Sequence, residues 1–471
     1  MTALREIDDL PGPSGALPLF GHLLMIRRKR LHQSVEAWGR EFGPFFRFRL
    51  GPRTLLAVSD AAALSGALRD RPDGFRRTRV LETIALEMGL TPGLFGSNGD
   101  AWRRQRRMVM AGFDPTHVKA YFPSLLKVTQ RLHGRWLKAA RAGTSVALQP
   151  ELMRFTVDAI SGLAFGADVN TLESDEEVIQ QHLDQIFPAL YKRLFSLLPW
   201  WRIVRLPADR RLERSVAAVN VAIEGFIDQA RGRLAAEPAR RARPPNLLEA
   251  MIVASDEGGS ERVSDREVAG NVLTMLLAGE DTTANTLAWM IHLLHRHPAA
   301  LQRAQREVRE RAGEVGRFTP DAMASLDYLE ACAHETMRLK PVAPFQVLEA
   351  LRDTEIAGIR VPQGTGVWCV MRGDSVSDRH FTNPLAFEPE RWLERPGEAA
   401  SARRMSMPFG AGPRICPGRY LALLEIKMAA AMLLAHFDID AVTTPDGAEA
   451  AEQMSFTMMP VGLRMRLRER R

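Results

Sequence analysis

Cysteine is scarce in this chain of 471 residues, and its placement excludes two common kinds of structural support. The three cysteines, Cys332, Cys369 and Cys416, are widely separated and show no C-x-x-C spacing. They cannot all pair with one another, so neither a disulfide framework nor a structural zinc site fits the pattern. A reducing compartment is the simplest interpretation, and we expect the protein to be cytoplasmic.

Long hydrophobic runs are missing as well. Residues 1–13 are polar, include early acids and lack the basic-then-apolar order of a signal peptide. The most apolar stretch near the N-terminus, residues 16–26, is too short to span a bilayer and contains Pro18 and Gly21. The basic run over residues 27–30 could touch acidic lipid but is more typical of a solvated helix start. We therefore expect no transmembrane anchor, and a flexible terminus over residues 1–10.

Nothing in the sequence divides the chain into separate domains. There is no internal repeat and no low-complexity segment, and the most linker-like stretch, residues 237–245, is short and lies between two helical runs. Apolar residues make up 46% and charged residues 25%, the usual balance of a globular protein with a substantial core. We expect a single domain over residues 1–471, although length alone would allow two or three.

The positive charge is modest and dispersed. Lys and Arg number 63 against 56 Asp and Glu, for a net charge of +7. The basic residues are scattered rather than gathered on one face, as nucleic-acid binding would require. We expect no nucleic-acid partner.

Helical signals dominate the residue pattern. Residues 60–340 are almost wholly helical in character, with long runs rich in Ala, Leu, Arg and Glu interrupted by Gly and Pro. Short β regions stand on either side, and alternation predicts a hairpin over residues 45–58, a strand over 355–362 paired with 367–370, and strands over 456–467. The predicted fold class is mainly α with small β-sheets.

One cysteine lies in a loop that suits a metal ligand. Residues 409–418 read Phe-Gly-Ala-Gly-Pro-Arg-Ile-Cys-Pro-Gly and lead directly into a helix-like run. The glycines permit tight turns and close approach of a flat cofactor, and N–H groups near a helix N-terminus favour an ionised Cys416 that can bind iron. The loop resembles the haem-binding signature of the cytochrome P450 family, Phe-x-x-Gly-x-Arg-x-Cys-x-Gly, at every fixed position.

This resemblance extends from about residue 10 to the C-terminus. It implies the cytochrome P450 fold, with haem b held between a long central helix and the cysteine loop. In this family the cysteine, here Cys416, is the iron ligand, and the loop residues Phe409, Gly410 and Gly418 belong to the haem pocket. Arg414 would reach one haem propionate.

A long predicted helix carries the second motif. Ser264 and Glu267 form a capping box, and the helical pattern continues until Pro298 ends it. Residues 278–283, Ala-Gly-Glu-Asp-Thr-Thr, interrupt its apolar character, and Thr282 can bond back to the carbonyl of Ala278 and open a notch.

Residues 278–283 match the family's oxygen-activation motif. The resemblance implies that Ala278 borders the haem, that Thr282 steadies bound dioxygen and that Asp281 passes the protons needed for O–O cleavage. We expect the adjacent Glu280 to pair with a base or with solvent instead of taking part in catalysis.

Two further groups match the family in order and spacing. Trp102 and Arg106 fit its Trp-x-x-x-Arg motif, which contacts the other haem propionate. Many relatives also carry a basic propionate partner in the strand near Leu348, which this chain lacks, so either Gln346 or another donor replaces it or the propionate is more exposed. The resemblance also implies a structural ion network, formed by residues that precede the cysteine loop in the chain: Glu335, Arg338 and Arg391.

The substrate pocket is less determined by sequence. The resemblance places its walls at mainly apolar positions, including Phe95, Thr274, Phe345, Val347 and Phe456. Such a lining favours a hydrophobic small molecule, without preference between fatty acids, terpenoids and steroids.

Together these features predict a haem-thiolate monooxygenase, an oxidoreductase that inserts one atom of O2 into a hydrophobic substrate by hydroxylation or epoxidation. No flavin- or cluster-binding motif follows Cys416, so we expect electrons from NAD(P)H to arrive through a ferredoxin or flavodoxin and its reductase, docked on the basic face near Arg403, Arg404, Arg414 and Arg419. Two alternatives stay open: a peroxide-using or isomerising haem-thiolate enzyme, and a haem-based sensor or carrier without turnover.

Overall fold

The computed structural model describes residues 4–113, 115–173, 179–196, 198–259, 262–393 and 402–470, and everything below refers to them. Most of these residues are helical, as the pattern predicts. The α-helices used below are, in chain order, α1 (Leu31–Phe42), α2 (Ala61–Arg69), α3 (Arg79–Glu87), α4 (Gly99–Gly112), α5 (Pro115–Arg141), α6 (Leu148–Phe165), α7 (Ile179–Leu194), α8 (Pro207–Ala236), α9 (Ala239–Ala242), α10 (Leu247–Asp256), α11 (Asp265–Arg296), α12 (Pro298–Arg311), α13 (Pro320–Ala324), α14 (Asp327–Leu339) and α15 (Arg419–His436).

The strands form small sheets beside this helical body. They are β1 (Phe45–Leu50), β2 (Arg53–Val58), β3 (Phe75–Arg77), β4 (Val146–Ala147), β5 (Phe345–Ala350), β6 (Thr354–Ile356), β7 (Ile359–Val361), β8 (Gly366–Val370), β9 (Phe437–Thr443), β10 (Glu452–Ser455), β11 (Thr457–Pro460) and β12 (Arg464–Glu469). The largest sheet has the order β1-β2-β8-β5-β3, and the others are β4-β12-β9, β10-β11 and β6-β7.

The hairpin prediction is confirmed and two other strand predictions are wrong in detail. β1 and β2 pair antiparallel over residues 45–58. Residues 355–362 are not one strand, because Ala357 and Gly358 adopt positive φ angles of 50° and 76° and reverse the chain between β6 and β7. Residues 367–370 accordingly pair with β2 and β5 rather than with 355–362, and the two C-terminal strands β11 and β12 belong to different sheets.

The long helix α11 runs through the core and begins and ends where the sequence predicts. The Ser264 hydroxyl accepts from the Glu267 N–H at 3.3 Å, and a Glu267 carboxylate oxygen accepts from the Ser264 N–H at 2.9 Å. Along its length α11 packs closely on α6. Gly279 permits this contact, because a Cβ built there would lie 3.3 Å from Cγ1 of Ile160.

Candidate active site

The cysteine loop is a tight turn seated against α2. Gly410 and Gly412 have φ angles of 74° and 71°, which glycine adopts most readily, and the Cys416 N–H donates to the Phe409 carbonyl at 2.9 Å. A Cβ on Gly412 would lie only 2.6 Å from the Cα of Arg69, so this loop touches the α2 backbone directly. The loop ends at Gly418, where α15 begins, and this places the Cys416 side chain at the wall of the central cavity.

The surroundings of Cys416 act on the pKa of its thiol in opposite directions. Burial is the largest influence and raises the pKa of the thiol, while the Gly418 N–H and the positive charges of Arg106 and Arg419 act in the opposite direction. Without a metal, burial therefore favours the neutral thiol. A bound metal cation deprotonates a coordinating thiol outright, so the loop is suited to a thiolate once iron is present.

A group of arginines without carboxylate partners lines the same cavity. Arg106 lies one turn after Trp102 on α4, and the guanidinium of Arg414 lies 4.8 Å from the centre of the Trp102 ring. Sequence reasoning missed Arg77 at the end of β3, which also lines the cavity, and Arg71 after α2, which lies behind the wall and contacts the lining residue Gln346. Within the described part of the chain, none of these four arginines forms an ion pair with a carboxylate.

These buried cations are electrostatically unfavourable as they stand. Burial, reinforced by mutual repulsion with Arg71, lowers the pKa of both Arg77 and Arg414 to about 9. Their Nε atoms are buried with no hydrogen-bond partner. Burying unpaired cations is costly, so this arrangement calls for an anion.

Leu348, the strand position at which many relatives carry a basic residue, does not face the arginines of the cavity. Leu348 is fully buried in a separate core cluster, whereas its neighbour Gln346 borders the cavity and accepts a 3.4 Å hydrogen bond from Arg71. Arg77 lies directly opposite Leu348 in the β3–β5 pairing. No sequence signal distinguished Arg77, since a basic residue on a three-residue strand is usually solvated.

The notch in α11 has the predicted geometry. The Thr282 hydroxyl donates to the Ala278 carbonyl at 2.7 Å, and both residues border the cavity. Asp281 lies on another side of the helix, where its carboxylate accepts a 3.2 Å hydrogen bond from the Thr457 hydroxyl. Burial, with a contribution from Asp184, raises the pKa of Asp281 to about 6.

The expectation for Glu280 is wrong. Its side chain is 3% exposed, and no base faces it among the described residues. Burial and the neighbouring acids Asp184 and Asp281 raise its pKa well above the ordinary value, which favours the protonated form of Glu280. The sequence could not reveal this, because it depends on helix α7 bringing Asp184 against α11.

The cavity has a volume of about 1430 Å³ and a mainly apolar wall. All five residues predicted for the substrate pocket line it, and so do most of the residues predicted for cofactor binding, whereas Gly410 and Asp281 do not. The lining residues from the sequence analysis are Phe95, Trp102, Arg106, Thr274, Ala278, Thr282, Phe345, Val347, Phe409, Arg414, Cys416, Gly418 and Phe456. Sequence reasoning missed Phe187 on α7, whose ring stacks on Phe456 at 4.3 Å.

An ion network fastens the segment before the cysteine loop. Glu335 and Arg338 on α14 are fully buried and joined at 2.8 Å, and Arg391 contacts the same carboxylate at 3.0 Å. Trp392 also donates to Glu335 at 3.0 Å, and Arg338 donates to three backbone carbonyls. All three charged residues are therefore well supplied with partners and lie away from the cavity.

The donor set of the cavity fits a haem. A haem needs a ligand for its iron and partners for two propionates, and the cavity offers one thiol together with unpaired arginines. The fit rests on Arg77 and Arg414 above all, since their Nε atoms are orphaned without an anion.

Comparison with known proteins agrees with this geometry. The model of the family described as "Cytochrome P450" matches residues 10–466. Cytochrome P450 97B2, chloroplastic, of Glycine max is 26% identical, with 94% of this chain and 84% of that protein covered. A self-sufficient cytochrome P450 monooxygenase of Aspergillus niger is 27% identical over 99% of this chain but only 44% of its own length. The crystal structure of the cytochrome P450DA heme domain superposes with a TM-score of 0.85 at 26% identity, covering 100% of this chain and 99% of that one.

The chain belongs to the cytochrome P450 family, and it is an oxidoreductase of the haem-thiolate monooxygenase class. Its mainly helical fold with small sheets is the fold of P450 heme domains, as the sequence predicts. Among the residues that the structure describes, no helix is long and apolar enough to cross a membrane.

Proposed function

We propose that this protein binds haem b through Cys416 and oxygenates a hydrophobic small molecule, using electrons from separate proteins. The balanced reaction consumes one substrate, one O2, two electrons and two protons, and yields one oxygenated product and one water. The observation that carries the proposal is that the Cys416 thiol, the unpaired arginines and the Thr282 notch all border one apolar cavity. When bound, haem supplies the redox-active iron at which O2 is activated.

The arginines are the proposed partners of the haem carboxylates. Trp102, Arg106 and Arg414, the residues that the family resemblance implies, border the cavity and would hold the carboxylates, while Arg77, opposite Leu348 in the sheet, would replace the basic residue missing there. Each haem carboxylate would accept hydrogen bonds from guanidinium N–H groups that are otherwise buried without an acceptor. Binding of the carboxylates is favourable for this reason. The small side chain of Ala278 borders the cavity and would leave room for a flat group beside α11.

Thr282 and Asp281 are the proposed proton-handling residues. The Thr282 hydroxyl donates to the Ala278 carbonyl, so its oxygen lone pairs can hold a water or accept a proton at the cavity wall. Asp281 has a pKa of about 6 and can therefore exchange protons near neutral pH.

The substrate proposed is a hydrophobic organic molecule of no further specified class. The cavity beyond the arginines and Cys416 is walled by apolar side chains, among them Phe95, Phe187, Phe345, Val347 and Phe456. Such a wall binds mainly by burying apolar surface and gives few polar constraints on orientation.

The electron donor proposed is a ferredoxin or flavodoxin with its NAD(P)H-dependent reductase. Arg403 and Arg404 are exposed shortly before the cysteine loop in the chain, and the partly exposed Arg419 lies against the exposed ring of Tyr420 at the start of α15, directly after the loop. Opposite charges would steer an acidic partner to this face at a rate that falls with ionic strength. The free cysteines Cys332, Cys369 and Cys416 support a reducing compartment, and we propose the cytoplasm.

The deciding experiment has two stages. Haem-loaded protein is first reduced with dithionite and exposed to carbon monoxide, and a red-shifted Soret band typical of an anionic sulfur ligand is expected. Cys416→Ser should lose this band, whereas Cys369→Ser, which changes a buried cysteine of β8, should keep it. A band without the red shift in the wild-type protein would overturn the assignment.

In the second stage, a library of hydrophobic compounds is titrated while the spin state of the haem is followed. Compounds that shift the spectrum are incubated with ferredoxin, reductase and NAD(P)H, and the products are analysed by mass. Products carrying one added oxygen support the monooxygenase. Products formed only with hydrogen peroxide favour the peroxide-using enzyme, and binding without any turnover favours the sensor or carrier.

A further inference from the structure

The turn between β10 and β11 enters the cavity in a strained conformation. Ser455 pairs directly with Thr457, so Phe456 alone forms the turn, with a φ angle of 87°. Aromatic residues rarely adopt this left-handed region, and such outliers persist only where the surroundings hold them.

Aromatic contacts hold the Phe456 ring inside the cavity. The ring stacks on Phe187 of α7, with centres 4.3 Å apart and planes 10° apart, and it meets the edge of Phe95 at 5.9 Å. All three rings line the cavity. A hydrophobic molecule that occupies this part of the cavity must therefore contact or displace the Phe456 ring.

The next residue, Thr457, is the end of a directed chain of hydrogen bonds. Gln149 donates its amide to Asn285 at 3.1 Å, and Asn285 donates its own amide to the Thr457 hydroxyl at 3.3 Å. Because a hydroxyl has a single proton, Thr457 then donates to the carboxylate of Asp281, at 3.2 Å. The Thr457 side chain is only 5% exposed, so water competes poorly for this bond.

This hydrogen bond holds Asp281 away from the place where its proton would be used. Thr282 borders the cavity and Asp281 does not, although the two residues are adjacent on α11. Delivering a proton into the notch therefore requires the Asp281 carboxyl group to leave Thr457 and rotate toward the cavity.

We propose that Thr457 is a positioning residue that holds Asp281 in a withdrawn position, and that a substrate releases Asp281 by displacing Phe456 from its strained turn. Proton delivery would then begin only after the substrate has bound. The proposal rests on the function proposed above, in which Asp281 supplies protons.

The proton path closes without any additional reagent. A proton leaves the Asp281 carboxyl group for water in the notch beside Thr282, and the resulting carboxylate regains one from the neighbouring acids Glu280 and Asp184. Asp184 is an exposed residue of α7 whose carboxyl group is directed inward to Glu280, so it can take up protons from solvent and pass them to the buried acids. Burial raises the pKa of Glu280 well above its ordinary value and that of Asp184 to about 6, so both can hold a proton near neutral pH.

Infrared difference spectroscopy tests the release directly, without turnover. The carboxyl band of Asp281 is identified in haem-loaded protein by its loss in Asp281→Asn, and a hydrophobic compound that shifts the haem spin state is then added. We expect the compound to shift this band in the wild-type protein and in Thr457→Ser, which keeps the hydroxyl. In Thr457→Val the band should already lie at its released position, and the compound should leave it there.

Reductant consumption supplies a second readout. Without substrate, Thr457→Val should consume reductant about fivefold faster than wild type, the factor that corresponds to one lost hydrogen bond of ~1 kcal/mol. Thr457→Ser should restore the wild-type rate. In Phe456→Gly, glycine accepts the φ angle without strain and no ring is left to displace, so the compound, added until the spin-state change is complete, should leave the Asp281 band in place.

Equal behaviour of Thr457→Val and Thr457→Ser, or a compound-induced band shift in Thr457→Val as large as in wild type, would overturn the proposal. Its failure is separable from failure of the proposed function. The carbon monoxide spectrum and product analysis report on the haem thiolate and on oxygenation, and neither depends on where the Asp281 carboxyl group rests.

Discussion

The guanidinium of Arg338 lies 2.8 Å from the carboxylate of Glu335, one turn away on α14, and neither side chain is exposed to solvent. Both groups have their remaining partners: Arg391, Trp392 and the Glu388 N–H contact the carboxylate, and backbone carbonyls accept from the guanidinium. Together these partners lower the pKa of Glu335 below its ordinary value despite its burial. A network so completely satisfied tolerates no missing member.

Removing Arg338 should therefore be severe. Arg338→Ala leaves the buried Glu335 with Arg391 as its one remaining cation and deprives three backbone carbonyls of their donor, and we expect a loss of about 3 to 5 kcal/mol in the free energy of unfolding. The control is Arg352→Ala, which breaks an exposed pair with Asp70 and should change stability by about 1 kcal/mol or less. Urea denaturation of the haem-free proteins measures both, and similar values for the two variants would contradict the structural role of the network.

Arg77 should affect the haem-free and haem-loaded protein in opposite directions. Arg77→Gln removes a cation that has no carboxylate partner but stacks 4.2 Å from the centre of the Phe95 ring, so the haem-free protein should gain only about 1 kcal/mol or less in unfolding free energy once the lost ring contact is subtracted. The same variant should release haem faster to a scavenging apoprotein, because one carboxylate partner is lost. Arg79→Gln, two residues further and 74% exposed, is the matched control and should change neither quantity appreciably. Destabilisation of the haem-free protein by Arg77→Gln would mean that the contact with the Phe95 ring outweighs the cost of burying the cation.

The stability of the haem-free protein should depend on Glu425. Burial raises the pKa of this α15 residue from 4.5 to about 8, so the folded state holds a proton that the unfolded state releases. This group therefore contributes a loss of stability as pH rises from about 4.5 to about 8, amounting to about 3 to 5 kcal/mol in total. Groups with lowered pKa values do not cause the same loss of stability. Glu335 and Glu452 change stability only at pH values below their ordinary pKa, and His292, whose pKa is lowered by burial, increases stability as pH rises toward 6.5.

The difference between wild type and Glu425→Gln isolates the Glu425 contribution. Unfolding free energies at several pH values should show that the variant loses less stability than wild type between pH 5 and pH 8. Parallel pH profiles for the two proteins would show that Glu425 is ionised in the fold.

The two glycines of the cysteine loop should differ in their tolerance of alanine. In Gly410→Ala the only cost is the left-handed φ angle, because no atom lies within 3.4 Å of a built Cβ. We expect this variant to lower stability by about 1 to 2 kcal/mol. Gly412→Ala adds a clash with the Arg69 backbone, which cannot move aside cheaply, and should be clearly worse. Thermal unfolding of the haem-free variants gives the comparison, and equal losses would show that the loop can shift away from α2.

The sequence predicted those parts of the site that depend on short, contiguous chemistry. The Cys416 loop and the Ser264 capping box of α11 could be recognised because their residue types act on neighbours within a few positions. The strand prediction over residues 355–362 failed because Ala357 takes a positive φ angle, for which alanine gives no signal.

Contacts between distant segments account for the remaining errors. Glu280 is surrounded by acids only because α7 brings Asp184 to it, and the Arg77–Arg414 group joins segments more than three hundred residues apart in the numbering. The Thr457–Asp281 hydrogen bond likewise connects the C-terminal hairpin to the central helix. No periodicity or local motif predicts such long-range contacts, because they depend on the packing of the whole chain.

The close contact between Gly412 and the backbone of Arg69 has a consequence for the order in which the protein folds and binds haem. The sulfur-bearing turn lies close to the C-terminus, yet the surface against which it is moulded comes from the first hundred residues. The slot for the cofactor is thus complete only when opposite ends of the polypeptide have met. Haem capture must accordingly be a late event in maturation, after the long helices between them have been synthesised and packed.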